Sequence, residues 1–150
     1  MPSNLNPSAR VGVVGVIDPD AYAAGTYTTG WIDMQDYFSV MGIVLVGDMV
    51  SNSTVDAKFQ QATSSGGAGV KDVTGSAIAQ LTQAGTDDNK QVAINLHQSD
   101  LDYNNGFRWV RLSMTVATAA SDSGAVVVAT DNRYGAATSV DATTVDEVVS

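Results

Sequence analysis

Apolar residues in this chain recur with period two far more often than with the helical period, and the clearest instance is Gly106 to Ala117, Gly-Phe-Arg-Trp-Val-Arg-Leu-Ser-Met-Thr-Val-Ala. Successive side chains of a strand leave opposite faces, so Val110, Leu112, Met114 and Val116 form one face while Phe107, Trp109, Arg111, Ser113 and Thr115 form the other. The first is a core face. The second sets two large aromatics beside an arginine, a mixture seldom left to water, and it is expected to lie beneath another chain or a loop.

The same alternation divides the rest of the chain. Arg10 to Ile17 reads as a strand interrupted by Gly12 and Gly15, and Asp18-Pro-Asp20 as the turn that ends it. In a second strand, Gly25 to Met34, Tyr27, Thr29 and Trp31 share one face. Phe38 to Val46 is apolar on both faces, the pattern of a central strand covered on both sides. Val55 to Ala62 alternates cleanly and has one wet face, Thr63 to Gly69 is an exposed hairpin tip, and Lys71 to Thr74 is a short edge strand. Ser76 to Gln83 fits a strand or a single helical turn equally well. Gly85 to Lys90 is an acidic turn, Gln91 to His97 a strand, and Gly124 to Thr130 the last strand, entered by a turn at Ser121-Asp-Ser-Gly124.

Roughly seven to nine short strands with turn signals about every eight to twelve residues predict an all-β fold, an antiparallel β-sandwich of jelly-roll type. The expected core is Val40, Ile43, Leu45, Phe59, Val92, Ile94, Leu96, Val110, Leu112, Met114 and Val128. Residues 1–9 read as an N-terminal arm, 10–133 as one sandwich domain, and 134–150 as an extended, acidic C-terminal tail. Arms at both ends are a device for lacing a domain to its neighbours.

Composition narrows the partners. A chain of 150 residues makes one domain that buries roughly 70% of its unfolded surface, and with no cysteine it relies on no disulfide framework. Seven basic residues stand against sixteen acidic ones, for a formal charge of −9, and the basic residues are scattered singly. Phosphate backbones are bound by clustered Lys and Arg, so nucleic acid is not an expected partner. The sequence carries no membrane-length apolar run, and Met-Pro-Ser-Asn-Leu-Asn lacks the basic and apolar parts of a secretory signal. No membrane association is expected, and synthesis is expected in the cytoplasm.

Candidate chemistry is sparse. Gly12-Val-Val-Gly15 departs from a dinucleotide-binding loop, with Pro19 where a helix would begin. The single histidine, His97, has Ser99 and Asp100 near it in sequence, but neighbours at the end of an exposed strand face do not form a nucleophile relay easily. One His and no Cys make a poor zinc set, and no cofactor is expected. Asp100-Leu-Asp102-Tyr-Asn104-Asn-Gly106 places oxygen ligands at alternate positions, making Asp100, Asp102 and Asn104 a weak calcium candidate. Its glycine comes one position late, and Arg111 stands where a bidentate Glu should close the site. The competing reading is a turn rich in Asx hydrogen bonds. The acid pairs Asp18/Asp20, Asp87/Asp88 and Asp100/Asp102 all fall in predicted turns, where Asp is expected without any glycoside chemistry. Tyr27, Trp31, Phe107, Trp109 and Arg111 remain as a candidate interaction surface. They suit a protein interface or stacking on sugar rings, and the bland alternative is that the tryptophans seal the sandwich core.

Gly30-Trp-Ile-Asp-Met, Val55-Asp-Ala-Lys-Phe-Gln-Gln-Ala, the loop through Gly69-Val-Lys-Asp-Val-Thr-Gly75, and Gly106-Phe-Arg-Trp-Val-Arg-Leu-Ser-Met-Thr-Val together resemble small auxiliary or decoration proteins encoded among the head genes of tailed bacteriophages and prophages. The likeness covers most of Thr26 to Gly135 and contains no reactive residue. It implies a non-enzymatic virion component on the capsid surface, made in the host cytoplasm, that binds the major capsid protein and other virion proteins as a homo-oligomer. A trimer is preferred, with Phe107, Trp109 and Arg111 near the contact. Arg108-Trp-Val-Arg111 also resembles a strand of galactose-binding-like jelly rolls, which speaks to fold more than to ligand. The runner-up function is accordingly a carbohydrate-binding β-sandwich module with a glycan as partner.

Overall fold

The computed structural model describes residues 4–134, 137 and 139–149. Its strands are β1 (Gly12–Tyr22), β2 (Gly25–Thr28), β3 (Ile32–Asp33), β4 (Tyr37–Met49), β5 (Thr54–Ala62), β6 (Lys71–Ala77), β7 (Leu81–Thr82), β8 (Gln91–His97), β9 (Trp109–Ala117) and β10 (Ser121–Asn132). Among the described residues there is no α-helix, only 3₁₀ turns at Pro7–Ala9, Gln98–Asp100 and Tyr103–Asn105, and no helix is long and apolar enough to cross a membrane.

Two antiparallel sheets pack face to face. The first has the order β1-β10-β4-β8, and the second β2-β9-β5-β6, with β3 added on β9 and β7 on β5. The chain changes sheet at almost every connection: β1 lies in the first, β2 and β3 in the second, β4 in the first, β5 to β7 in the second, β8 in the first, β9 in the second and β10 in the first. With β2/β3 and β6/β7 each counted as one interrupted strand, this is the eight-stranded jelly roll, and the chain is an all-β sandwich of that type.

The core lies between the sheets. From the second come Val110, Leu112, Met114 and Val116 of β9 and Val55, Ala57 and Phe59 of β5, all essentially inaccessible. The first contributes Val40, Val44 and Val46 of β4, Ile94 and Leu96 of β8, and Ala125, Val127 and Ala129 of β10. Phe59 fills the space above Gly42, where an added Cβ would stand 3.1 Å from the Phe59 ring and 3.3 Å from Leu112. The large residue of one sheet thus fits the missing side chain of the other.

Four expected core positions differ. Leu45 is 52% exposed, and Ile43 and Val128 are half-buried on the outward face of the first sheet. Val44 and Val127 take the inward places. In a run apolar on both faces, period two is present but its parity is not, so which alternate set points inward is decided by the opposing sheet. Val92 faces the core side opposite Val44, yet is only half-buried beside the sheet edge.

Three boundaries also move. Asp18-Pro-Asp20 is strand rather than turn: β1 continues to Tyr22, and its pairing with β10 slips between Ile17 and Asp20, so that Pro19, which has no N–H to donate, falls at the irregularity. Gly124 of β10 makes this possible, since a Cβ there would stand 2.9 Å from Pro19 Cα. The expected turn at Ser121–Gly124 is therefore also strand. The expected Gly25–Met34 strand is broken into β2 and β3 around Thr29, whose N–H donates to the Leu112 carbonyl (3.0 Å) while its hydroxyl accepts from the Leu112 N–H (3.0 Å). The ambiguous Ser76–Gln83 segment forms the end of β6 and β7, with no helical turn.

Gly42→Val should overpack the Phe59 contact and cost about 1–3 kcal/mol, and Phe59→Ala should cost about 3–5 kcal/mol through the cavity it leaves. Gly30→Ala, where nothing lies within 4 Å of the new Cβ, serves as the control in urea unfolding. A neutral Gly42→Val would contradict the packing described.

Candidate functional site

Four of the five aromatic-surface candidates lie about the outward side of β9 and the β5–β6 loop, and the fifth, Tyr27, lies on the core side of the sheet. Tyr27 pairs with Met114 and so shares its core-facing side, where the ring packs on Tyr22 at 4.2 Å between centroids and the hydroxyl donates to the Ala23 carbonyl (3.0 Å). Trp31 is half-buried, with the Arg111 guanidinium 4.6 Å from its ring centre. Its indole also lies so close to Gly67 that a Cβ there would stand 3.0 Å away, and Gly67 holds a φ of 81° that favours glycine in any case. Phe107 carries Lys71 Nζ over its ring at 4.1 Å and lies beside Gly69. Arg108 stands 5.4 Å from the Trp109 ring centre and donates to Asp33 at 2.7 Å. For Trp31 and Phe107 the expected cover is thus a loop of the same chain.

Beyond these rings the outward face of the second sheet is polar and internally paired. Arg111 Nε donates to Gln60 (3.0 Å), Gln60 donates to Asp72 (3.2 Å), and Lys58 pairs with Asp72 (2.7 Å). Thr26 and Thr115 bond across the ladder at 3.0 Å. The Lys58 ammonium holds the Asp72 carboxyl below its ordinary range, and Lys90 and Lys71 do the same for Asp87 and Asp102.

The remaining candidates serve their own turns. Asp100 accepts from the His97 N–H (2.8 Å), Asp102 takes Lys71 (2.5 Å) and the Asn105 amide (2.9 Å), and Asn104 is exposed. Asp87 accepts from the Thr82 N–H and Asp88 from the Met49 N–H, both at 2.9 Å. Each of these four carboxylates binds a different partner within the chain, and among the described residues no group of three or more His, Asp or Glu gathers as a metal site.

The apolar surface lies on the opposite side of the molecule, on the outward face of the run Phe38 to Val46 and its neighbours. Met41, Ile43 and Leu45 of β4 pair with Val128, Val126 and Gly124 of β10, and Val126 and Val128 pair in turn with Val16 and Val13 of β1. Paired residues share a side, so eight outward positions on three adjacent strands carry only Val, Ile, Leu, Met and Gly, and β8 beyond them adds Ala93, Asn95 and Gln91. At one end the surface sinks into a groove of about 670 Å³ lined by Val13, Val16, Pro19, Leu45, Val126 and Val145, among others. Val145 arrives there with the C-terminal segment, which runs beside the free edge of β1: Ala137 N–H donates to Ala9 O (2.8 Å), Val13 N–H to Ser139 Oγ (3.0 Å) and Asp141 N–H to Val13 O (3.1 Å). The groove lining contains the carboxylates of Asp20 and Asp122 and the Ser123 hydroxyl, with no histidine or lysine beside them.

No family model matches the chain, and no curated protein matches it. Solved structures similar to it come from virus particles. A chain of broad bean stain virus aligns over 92% of this chain and 94% of its own length at 12% identity, with a TM-score of 0.49. One of an empty virus-like particle of cowpea mosaic virus aligns over 93% and 89% at 11% identity and 0.42. One of the VP2 subviral particle of infectious bursal disease virus aligns over 87% of this chain but 37% of its own length, at 14% identity and 0.44. None of the three is a tailed bacteriophage, and the jelly-roll assignment rests on this chain's own strand order.

The three lowered carboxyl groups set a pH dependence. A carboxyl held lower in the folded than in the unfolded chain, where it titrates at about 3.9, stabilises above that value and loses its contribution as pH falls through the folded value. Urea midpoints should hold from neutral pH down to about pH 5 and decline below about pH 4. The decline should be smaller in Lys71→Met, which has already lost the Asp102 pair; an equal decline would remove that pair from the account.

Proposed function

We propose that this chain is a non-enzymatic structural protein of a virus particle and, more narrowly, an auxiliary protein that binds the outside of a tailed-phage capsid as a homo-oligomer, with a trimer preferred. The observation that carries the reading is the outward apolar face of β1, β10 and β4 on a jelly roll in which Asp87, Asp88, Asp100 and Asp102 each bind a partner within the chain. Contiguous apolar surface of this kind marks a site of association. The narrower part is supported by the motifs in Gly30–Met34, Val55–Ala62, Gly69–Gly75 and Gly106–Val116 that resemble tailed-phage head proteins. The major capsid protein and other virion proteins are the corresponding partners.

The glycan-binding alternative draws less support. Stacking on a sugar needs a ring presented bare, whereas Trp31, Phe107 and Trp109 each have a cation of the same chain over the ring. The contact is better supplied by Leu45 and its neighbours than by Phe107, Trp109 and Arg111.

Purified protein added to expanded heads lacking it, assembled from the shell protein of the same genome, should co-sediment to a saturating ratio that soluble glycans do not change. Leu45→Asp, at an exposed position that folding tolerates, should weaken this binding about tenfold or more, equivalent to about 1.4 kcal/mol. Failure to bind heads, together with retention on a glycan column that Trp109→Ala abolishes, would replace the reading with the lectin-like one.

A further inference from the structure

The groove over β1, β4 and β10 already shows what fits it, because Thr144 and Val145 of the C-terminal segment line it. The segment reaches that seat by running beside the edge of β1, held by one side-chain and two main-chain hydrogen bonds at Ala9 and Val13. An unpaired edge is a template for another segment of chain, and exchange of an identical element between copies keeps every contact while moving it between molecules. Seating in the same copy also leaves the segment's own apolar residues unsatisfied, since Val148 and Val149 are 61% and 83% exposed. Met41 and Ile43, further along the outward face, are apolar positions of the kind that a second molecule would present to those valines.

We propose that residues 139–149 form an exchangeable arm that, in the oligomer, seats Val145 in the groove of a second copy of this chain. This rests on the homo-oligomer proposed above. Charge sets its salt dependence. The arm meets the same groove in either copy, but each copy carries a formal charge of −9, so copies repel one another at low ionic strength and that repulsion is screened within about 8 Å at physiological salt. Exchange should therefore increase with salt, the reverse of an association held by ion pairs.

The chain has no native cysteine, so two introduced thiols are unambiguous. Full-length Leu45→Cys and Val145→Cys chains, mixed, allowed to exchange and treated with a short bismaleimide, should give a linked pair well above the yield from either chain alone, and more of it at higher salt. The doubly substituted chain should link between copies rather than within one. A mixture with no excess of linked pairs, beside a double variant that links only internally, overturns the arm exchange. Light scattering supplies the second reading: a chain ending at Tyr134 should fall to monomer. If it keeps its oligomeric size or forms larger assemblies, the arm is a lid over the groove and not a link. An oligomer that persists with internal linking only sinks the exchange while leaving the homo-oligomer intact, and head binding is measured separately from both.

Discussion

The sandwich depends on the fit of Phe59 into the space left by Gly42. The two sheets share no backbone hydrogen bonds in their ladders, so their separation and relative position are set by side-chain packing alone, and Phe59 is the largest side chain buried completely between them. Phe59 opposite Leu112 within its sheet, and Gly42 opposite Ile94 and Val127 within the other, define one register in which large meets small. Moving β4 by one residue would put Met41 or Ile43 beneath Phe59 and turn Val40, Val44 and Val46 outward. The choice of inward parity in β4 follows from that contact, and β10 and β8 follow from their pairing with β4.

Fixing the parity also fixes the two outer surfaces, and they are unlike. On the second sheet the outward positions of β5 and β9 are Asp56, Lys58 and Gln60 against Thr115, Ser113 and Arg111; Arg111 bonds to Gln60, Gln60 and Lys58 bond to Asp72, Asp56 accepts from Gln80, and Thr115 bonds to Thr26. Such exposed pairs contribute little stability each, but they leave the face satisfied in water. On the first sheet the outward positions are Met41, Ile43, Leu45, Val126, Val128, Val13 and Val16, partly covered at one end by the segment around Val145. A domain of charge −9 repels copies of itself at long range, and burial of the apolar face is the short-range attraction on which the proposed assembly draws.

Much of the fold was legible because period two survives in the sequence. Gln91–His97 coincides with β8, Val55–Ala62 with β5 within one residue, and the all-β sandwich follows from their number. Interruptions were less legible: the slip at Pro19 depends on Gly124, more than a hundred residues away, and the break at Thr29 depends on a hydroxyl standing in for a carbonyl. At the aromatic strand the reading had the right alternation, and its surface lies partly under the loop carrying Gly67 and Gly69. The apolar face had been visible as a double-sided run, Phe38 to Val46, but was assigned to burial within the chain. An outward face awaiting a partner and an inward face awaiting a sheet have the same composition, and only the opposing strands tell them apart.

Hydroxyl-radical footprinting of the free protein against the assembled form, whether self-oligomer or capsid-bound, compares the two faces without altering either. Met41 reports the first sheet and Trp109 the second, and both side chains oxidise readily when accessible. The account predicts that Met41 becomes protected on assembly while Trp109 is oxidised as before. Protection of Trp109 with no change at Met41 would contradict it and return the contact to the aromatic strand.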